Sequence, residues 1–502
     1  MKFRVARLIN RGLRAIFFSA FGASVVLVAG FVVYLNNRAD LQVWHLAELD
    51  EEFTVDSGVE TFAQYLELED RLFRQLDELV YAKVPPAERN NLNRYNRGSL
   101  SDPEHWSPNW NHSFVLPARS PAAGVLLLHG MSDSPYSVRH LGESLRHAGA
   151  SVLGLRLPGH GTAPSGLLDV SWQDMAAAVR LAMQHLAEQV GDRPLHIVGY
   201  STGAALAVHY ALASLNDELL PKADRLVLLS PAIGVTPVAA LAIWQARLGH
   251  LLGLQKLAWN EVLLEYDPFK YGSFAVNAGN VVYALANEIQ KDLTLLGDAG
   301  KLGKIPPILG FSSIVDATVS TPQLVSGLFG RLPGGEHELV LFDINRMADM
   351  DPLMKWRPAD VIQALQQAPN QMFTLSVVTN ETAHKREVML RSQLPGEIRP
   401  TDSSIGSPSW PEDIYSLAHV ALPFPAGDPL YGGYPEGESP SGLRLGSLAL
   451  RGERGVLHIS ASGMLRLRWN PFYPYVEQRM LGFLGLQEPA TTQGNPGAEL
   501  SQ

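Results

Sequence analysis

"HIVGYSTGAAL", residues 196–206, sets a serine between two glycines, directly after apolar residues and directly before a run of alanines. A plain strand–turn–helix accounts for the pattern without assigning the serine a role. A nucleophile elbow gives it one: a sharp bend lifts the hydroxyl above a sheet, and the new helix aims free N–H groups at developing negative charge. Gly199 and Gly203 allow strand and helix to approach where a Cβ would obstruct them, and Ala204, Ala205 and Ala207 keep the helix close. With "LHIV" before it as a strand and "AALAVHYAL" after it as a helix, Ser201 is read as a nucleophile.

Short apolar runs surround this stretch: "VLLLHG" (125–130), "SVLGLRLPGHG" (151–161), "LHIVGYS" (195–201), "RLVLLSP" (225–231), "PPILGFS" (306–312) and "ELVLFDI" (338–344). Uninterrupted apolar strands alternating with helical stretches such as "SWQDMAAAVRLAMQHLAEQ" predict an α/β fold, a mostly parallel sheet with helices on both faces. Two stretches break the alternation. Residues 235–304, helical and apolar, are expected to form an inserted cap, and residues 345–410 a second insertion holding one more strand, "MFTLSVV". The core is thus expected in three parts, 113–234, 305–344 and 411–487, before a disordered tail at 488–502.

An oxyanion needs donors. "LLLHGMSDSP" (126–135) puts His129, Gly130 and Met131 just past the first buried strand, so the amides of Met131 and Thr202 are expected to form the hole, with His129 and Gly130 shaping the loop. An ordinary strand-to-helix turn is the alternative. For this architecture the chain order is serine, acid, histidine. Asp316, in "FSSIVDATVS", follows a strand at its C-terminal end and is the preferred acid; Asp343, in "LVLFDIN", competes. Four of the fifteen histidines follow Asp316. His337 precedes a strand, His458 sits in a strand-like run and His384 opens a polar segment. His419, in "YSLAHVALPFP", lies on a loop among small and apolar residues and is preferred, with His384 second.

The termini and composition narrow the class. The net charge is −10; the first fourteen residues contribute +5 through Lys2, Arg4, Arg7, Arg11 and Arg14, so the rest carries −15. An acidic body disfavours a nucleic-acid partner. The absence of cysteine excludes disulfides, thiolate chemistry and zinc–cysteine sites. Ala15–Leu35 has no charge and is long enough to cross a bilayer, which needs about 20 apolar residues. The basic residues before it place segment 1–14 in the cytoplasm and the body outside. A cleaved signal peptide is the rival, disfavoured by the length of the apolar run. Residues 36–112 are expected to be a helical extension and linker; residues 41–84 read as helix, with Phe62, Tyr65, Leu72, Leu76 and Val80 at helical spacing.

Taken together, "LLLHGMSDSP", Leu157-Pro158-Gly159-His160-Gly161, Gly199-Tyr200-Ser201-Thr202-Gly203, "IVDATVS" and "SLAHVAL" resemble the α/β-hydrolase superfamily. The chain looks most like the bacterial carboxylesterase and monoacylglycerol-lipase branch, grouped with serine aminopeptidase-like hydrolases. The resemblance implies ester hydrolysis through an acyl-enzyme, with Ser201, His419 and Asp316 as the triad and no metal or organic cofactor. The apolar cap, with the segment at 15–35, points to a small-molecule or lipid-derived ester as substrate, and that segment, an addition to the family pattern, to a place at a bacterial inner membrane. A peptidase, amidase or acyltransferase on the same residues is the alternative, and a non-catalytic envelope binding protein a more distant one. Serine at the elbow excludes dehalogenase and epoxide-hydrolase chemistry, which need a carboxylate there. The long gap from Asp316 to His419, and Met131 where the branch often has an aromatic residue, depart from the pattern.

Overall fold

The computed structural model describes residues 17–26, 29–30, 33–34, 37–234, 254–368, 371–448 and 460–486. In chain order its main elements begin with α1 (Phe62–Leu79), β1 (Phe114–Leu116), β2 (Gly124–Leu128), α2 (Arg139–His147) and β3 (Ser151–Leu155). They continue through α3 (Trp172–Val190), β4 (Leu195–Tyr200), α4 (Thr202–Ser214) and β5 (Arg225–Leu229). A small ribbon, β6 (Trp259–Glu261) with β7 (Phe274–Ala275), precedes α5 (Val276–Asp298), β8 (Ile308–Ser313), α6 (Thr321–Gly327) and β9 (Glu338–Phe342). Last come α7 (Pro358–Gln366), β10 (Thr374–Asn380), β11 (Glu387–Gln393), β12 (Thr401–Ser409) and α8 (Tyr473–Phe483).

The main sheet has ten strands in the order β1-β3-β2-β4-β5-β8-β9-β10-β11-β12. From β3 to β10 every pairing is parallel, while β1, β11 and β12 pair antiparallel at the edges. Both faces are apolar, which explains the unbroken hydrophobic runs. Leu126, Leu128, Ile197, Leu226 and Leu228 face α3, α4 and α5. Their alternates Val125, Leu127, Val198, Val227 and Leu229 join Leu141 and Leu145 of α2 and Val476 and Met480 of α8. Register aligns Leu128 with Gly199 and Tyr200 with Leu229, so the loops after β2, β4 and β5 leave the same edge.

Several expectations need correction. Residues 41–84 are not one helix: one turn, Val43–Leu46, and α1 flank an irregular stretch. Asp56-Ser57-Gly58 breaks it, with Gly58 at φ 70. The apolar helix expected in the cap is α5, and it packs against α4 and α3 on the sheet face. Its apolar stripe (Val281, Leu285, Ile289, Leu293) belongs to the main core. Residues 235–253 lie outside the described residues. The expected insertion at 345–410 continues the sheet through β10, β11 and β12, which is why acid and histidine stand so far apart in sequence.

Of the expected membrane segment 15–35, the described residues are helical and exposed, among them Phe17, Phe18, Phe21, Val25 and Val26; the others lie outside the described residues. Among the described residues no helix is long and apolar enough to cross a membrane. Segment 1–14, His458 and the tail 488–502 also lie outside them.

The N-terminal extension is fastened to the core by a buried ionic cluster. Arg156, just past β3, binds Glu52 at 2.9 Å and Glu69 of α1 at 3.0 Å, and donates to the His160 carbonyl at 3.0 Å. Glu69 also accepts from the Ser113 amide and hydroxyl at 2.8 and 2.9 Å. Burial pushes the Glu69 carboxyl up, but the His112 hydrogen bond, the Arg156 charge and the Ser113 amide outweigh it and leave it below the usual value. Removing Glu69 leaves the buried Arg156 Nε and the Ser113 amide without their acceptor and Arg156 with Glu52 as its remaining counter-charge, so Glu69→Ala is expected to cost about 3 kcal/mol, read by urea unfolding at pH 7. Because the folded carboxyl is depressed, its contribution is complete above the unfolded value and is lost as pH falls through the folded one. The stability gap between wild type and Glu69→Gln should therefore narrow in acid.

Candidate active site

β4 ends at Tyr200 and α4 begins at Thr202, which leaves Ser201 alone on the bend at φ 53, ψ −113. A non-glycine residue there carries strain on the order of 1–3 kcal/mol and persists only where its surroundings impose it. They do. The Ser201 amide donates to the Leu229 carbonyl at 2.9 Å, and its carbonyl accepts from Ala204, Ala205 and Ala232. A Cβ on Gly203 would stand 2.3 Å from the Leu128 carbonyl oxygen, and one on Gly199 2.5 Å from Ala204 Cα. The small residues are therefore what lets α4 begin directly against β2 and β4.

The structure brings Ser201, His419 and Asp316 together. His419 Nε2 lies 3.0 Å from Ser201 Oγ, and His419 Nδ1 lies 2.7 Å from Asp316 Oδ2. Asp316 Oδ1 accepts from the Thr318 and Val319 amides at 2.8 and 2.9 Å. Burial pushes the Asp316 carboxyl up, but the charge and hydrogen bond of His419 and these two amides hold it below its usual value. An ionised acceptor at Nδ1 fixes the proton there and turns the Nε2 lone pair to the serine hydroxyl. That arrangement can take a proton from the hydroxyl as its oxygen attacks an electrophile.

The rejected candidates sit elsewhere. Asp343 is buried in a bidentate pair with Arg346 at 2.8 and 2.7 Å and accepts from Thr379 Oγ1. His384 is exposed in the turn between β10 and β11, and His337 accepts from the Ile308 amide at the opposite edge of the sheet.

Gly130 to Ser134 form the facing loop, closed by Asp133 N–H to the Gly130 carbonyl with Ser132 at φ 62. A Cβ on Gly130 would stand 3.2 Å from Ser201 Cβ, so this loop lies directly against the serine. His129 pins the loop: Nδ1–H donates to the Gly130 carbonyl at 2.9 Å, and Nε2 accepts from the Leu157 amide at 3.0 Å. Burial, with His160 beside it, pushes the His129 imidazole well below its usual value, which suits an acceptor. Among the described residues the amides of Met131 and Thr202 donate to no protein group.

Other positioning residues carried no sequence signal. Ser313 Oγ donates to the Leu417 carbonyl at 2.9 Å, while Asn345 binds the Tyr415 and Ile414 carbonyls at 2.7 and 3.0 Å, holding the segment that leads to His419. Lys270 pairs with Asp133 at 2.7 Å, and the Tyr271 amide donates to the Ser132 carbonyl. Each is a polar residue at a strand end or on a loop, indistinguishable in sequence from a solvated one.

A parallel sheet covered on both faces, a serine on the strand-to-helix bend, an acid after β8 and a histidine on a later loop define an α/β-hydrolase fold. Residues 119–290 match the family described as serine aminopeptidase, S33. Over 123 residues the chain is 29% identical to a thermostable monoacylglycerol lipase of Bacillus sp. (strain H-257), covering 24% of this chain and 46% of that protein. The chain thus spans just under half the length of this curated relative. Solved structures with similarity include a monoacylglycerol lipase of Paleococcus ferrophilus, with 18% identity, a TM-score of 0.36 and coverage of 46% of this chain and 88% of that one. Another is a soluble variant of monoglyceride lipase from Saccharomyces cerevisiae, with 14% identity, a TM-score of 0.37 and coverage of 46% and 82%. The fold assignment rests on the strand order and the elbow themselves.

Gly203→Ala forces a side chain into the Leu128 and His129 carbonyls. It is expected to destabilise the fold by about 1–3 kcal/mol, measured by chemical denaturation, and to displace the elbow from the facing loop.

Proposed function

We propose that this chain is a serine hydrolase of carboxylic esters, lipase- or esterase-like, whose body is tethered outside a bacterial inner membrane by residues 15–35. The observation that carries the reading is the chain Ser201–His419–Asp316, with hydrogen bonds of 3.0 and 2.7 Å, next to two unengaged amides.

Ser201 Oγ attacks the ester carbonyl while His419 takes its proton; Asp316 holds the imidazole tautomer and stabilises the imidazolium. The tetrahedral oxyanion rests on the amides of Met131 and Thr202, donors worth on the order of 10²–10³ each in comparable sites. His419 then protonates the departing alcohol. Water activated by the same imidazole releases the acid from the acyl-enzyme. A lipid-derived acyl group fits the name of the Bacillus relative and a tether that keeps the body at a membrane.

The reading is tested by labelling membrane fractions with a fluorophosphonate probe. Ser201→Ala should abolish labelling, and Asp316→Asn should lower kcat by about 10⁴, the size of the effect of losing the tautomer in a comparable triad. Cleavage of short water-soluble esters far better than medium- or long-chain monoacylglycerols would sink the lipid substrate. A serine peptidase is the second reading, favoured by the family description, and comparison of esters with peptide p-nitroanilides separates the two. The tether predicts that full-length protein stays with carbonate-washed membranes, whereas a chain starting at residue 36 is released.

A further inference from the structure

The loop after His419 and the helix after the oxyanion loop are joined by one carboxylate. Asp428 is fully buried. Its Oδ1 accepts from the Leu430 and Tyr431 amides at 2.8 and 2.7 Å and from the Tyr136 hydroxyl at 3.1 Å. Its Oδ2 accepts from Arg139 Nη2 at 2.9 Å. His140 Nε2 lies 3.0 Å from that Oδ2 and 2.8 Å from Arg139 Nη1, so it donates to the one or accepts from the other. Tyr136, in the 3-10 turn Pro135–Val138, and Arg139, the first residue of α2, follow Met131, and Asp428 follows His419 on the Pro/Gly-rich loop. One side chain thus grips the element carrying an oxyanion donor and the element carrying the base.

The surroundings leave this grip little freedom. Tyr136 stacks on Phe269 with ring centroids 4.1 Å apart, and Phe424 packs on Tyr431 at 4.5 Å. The Tyr431 hydroxyl donates to Asp267 at 2.6 Å, three residues before the Lys270 that holds Asp133. The oxyanion loop is therefore backed by two segments, 267–271 and 424–431, that meet at Tyr136.

We propose that Asp428 is a positioning residue for the hydrolytic reaction, setting the distance between the Met131 amide and the Ser201–His419 pair. The proposal rests on the serine-hydrolase reading. A buried ion pair adds little stability over apolar packing of the same shape, but it fixes geometry. Misplacing a reacting group by about 1 Å costs on the order of 10² in rate.

The test uses full-length protein in detergent micelles. Asp428→Asn keeps the shape and the acceptor for the two amides but loses the charge that holds Arg139. The expected result is a kcat lowered about 10- to 100-fold with KM within about threefold. Affinity for a trifluoromethyl ketone, which binds as a tetrahedral oxyanion, should fall in parallel, while fluorophosphonate titration still counts a full complement of reactive Ser201. Should Asp428→Asn fail to fold, Tyr136→Phe carries the same readouts. Two results overturn the proposal: kcat and ketone affinity within twofold of wild type, or lost activity matched by an equal loss of titratable serine, which marks a purely structural role. A wild-type protein that neither labels nor cleaves any ester overturns the hydrolase reading instead.

Discussion

Ser201 stands at a backbone angle that its side chain disfavours, and its imidazole partner reaches it from a part of the chain more than two hundred residues away. The contact between hydroxyl and imidazole is the constraint to which the other features answer. On one side it requires a bend so tight that glycine must stand on either flank and α4 must start on the backbone of β2. On the other it requires a loop fastened by hydrogen bonds from Ser313 and Asn345 and by the Asp316 carboxylate. Neither half has meaning alone. A strained serine without a base is a weak nucleophile, and a histidine without the bend has nothing to activate.

The parts of this arrangement that were legible in the sequence are those that act over a few residues. Strand, turn and helix around Ser201 are local: apolar alternation, two glycines, a run of alanines. Two candidate acids could be located because each follows a recognisable strand. The histidine was harder, since spacing gave no guide across the extra strands, and its small-residue surroundings and the order of the family selected it. What sequence could not show was partnership at a distance. Asp343 and Asp316 both stand just past buried strands, and only the fold reveals that Arg346 and Thr379 occupy the former. In the same way, the stripe along α5 is as apolar as a lid over a pocket would be, and only packing against α4 tells the two apart.

Polar burial repeats across the molecule with one logic. Arg156 with Glu52 and Glu69 ties the N-terminal extension to the loop of Pro158-Gly159-His160, and His129 bridges the Leu157 amide and the Gly130 carbonyl of the loop facing Ser201. These are costly groups to bury, and Arg156, Glu52, Glu69 and His129 each have a hydrogen-bonding partner. Their value lies in direction more than in net stability: hydrophobic contact is tolerant of small slips, whereas a charged hydrogen bond is not. The extension is in this way continuous with the site, not an appendage to it.

The two ends of the stretch that carries β10, β11 and β12 come back to the same place, where Asn345 holds the backbone of Ile414 and Tyr415. A detour whose entrance and exit are clamped side by side transmits little of its own length to what lies beyond. Closing a longer excursion costs only about 0.6 kcal/mol for each doubling. The length of that edge is therefore only loosely coupled to where the imidazole sits.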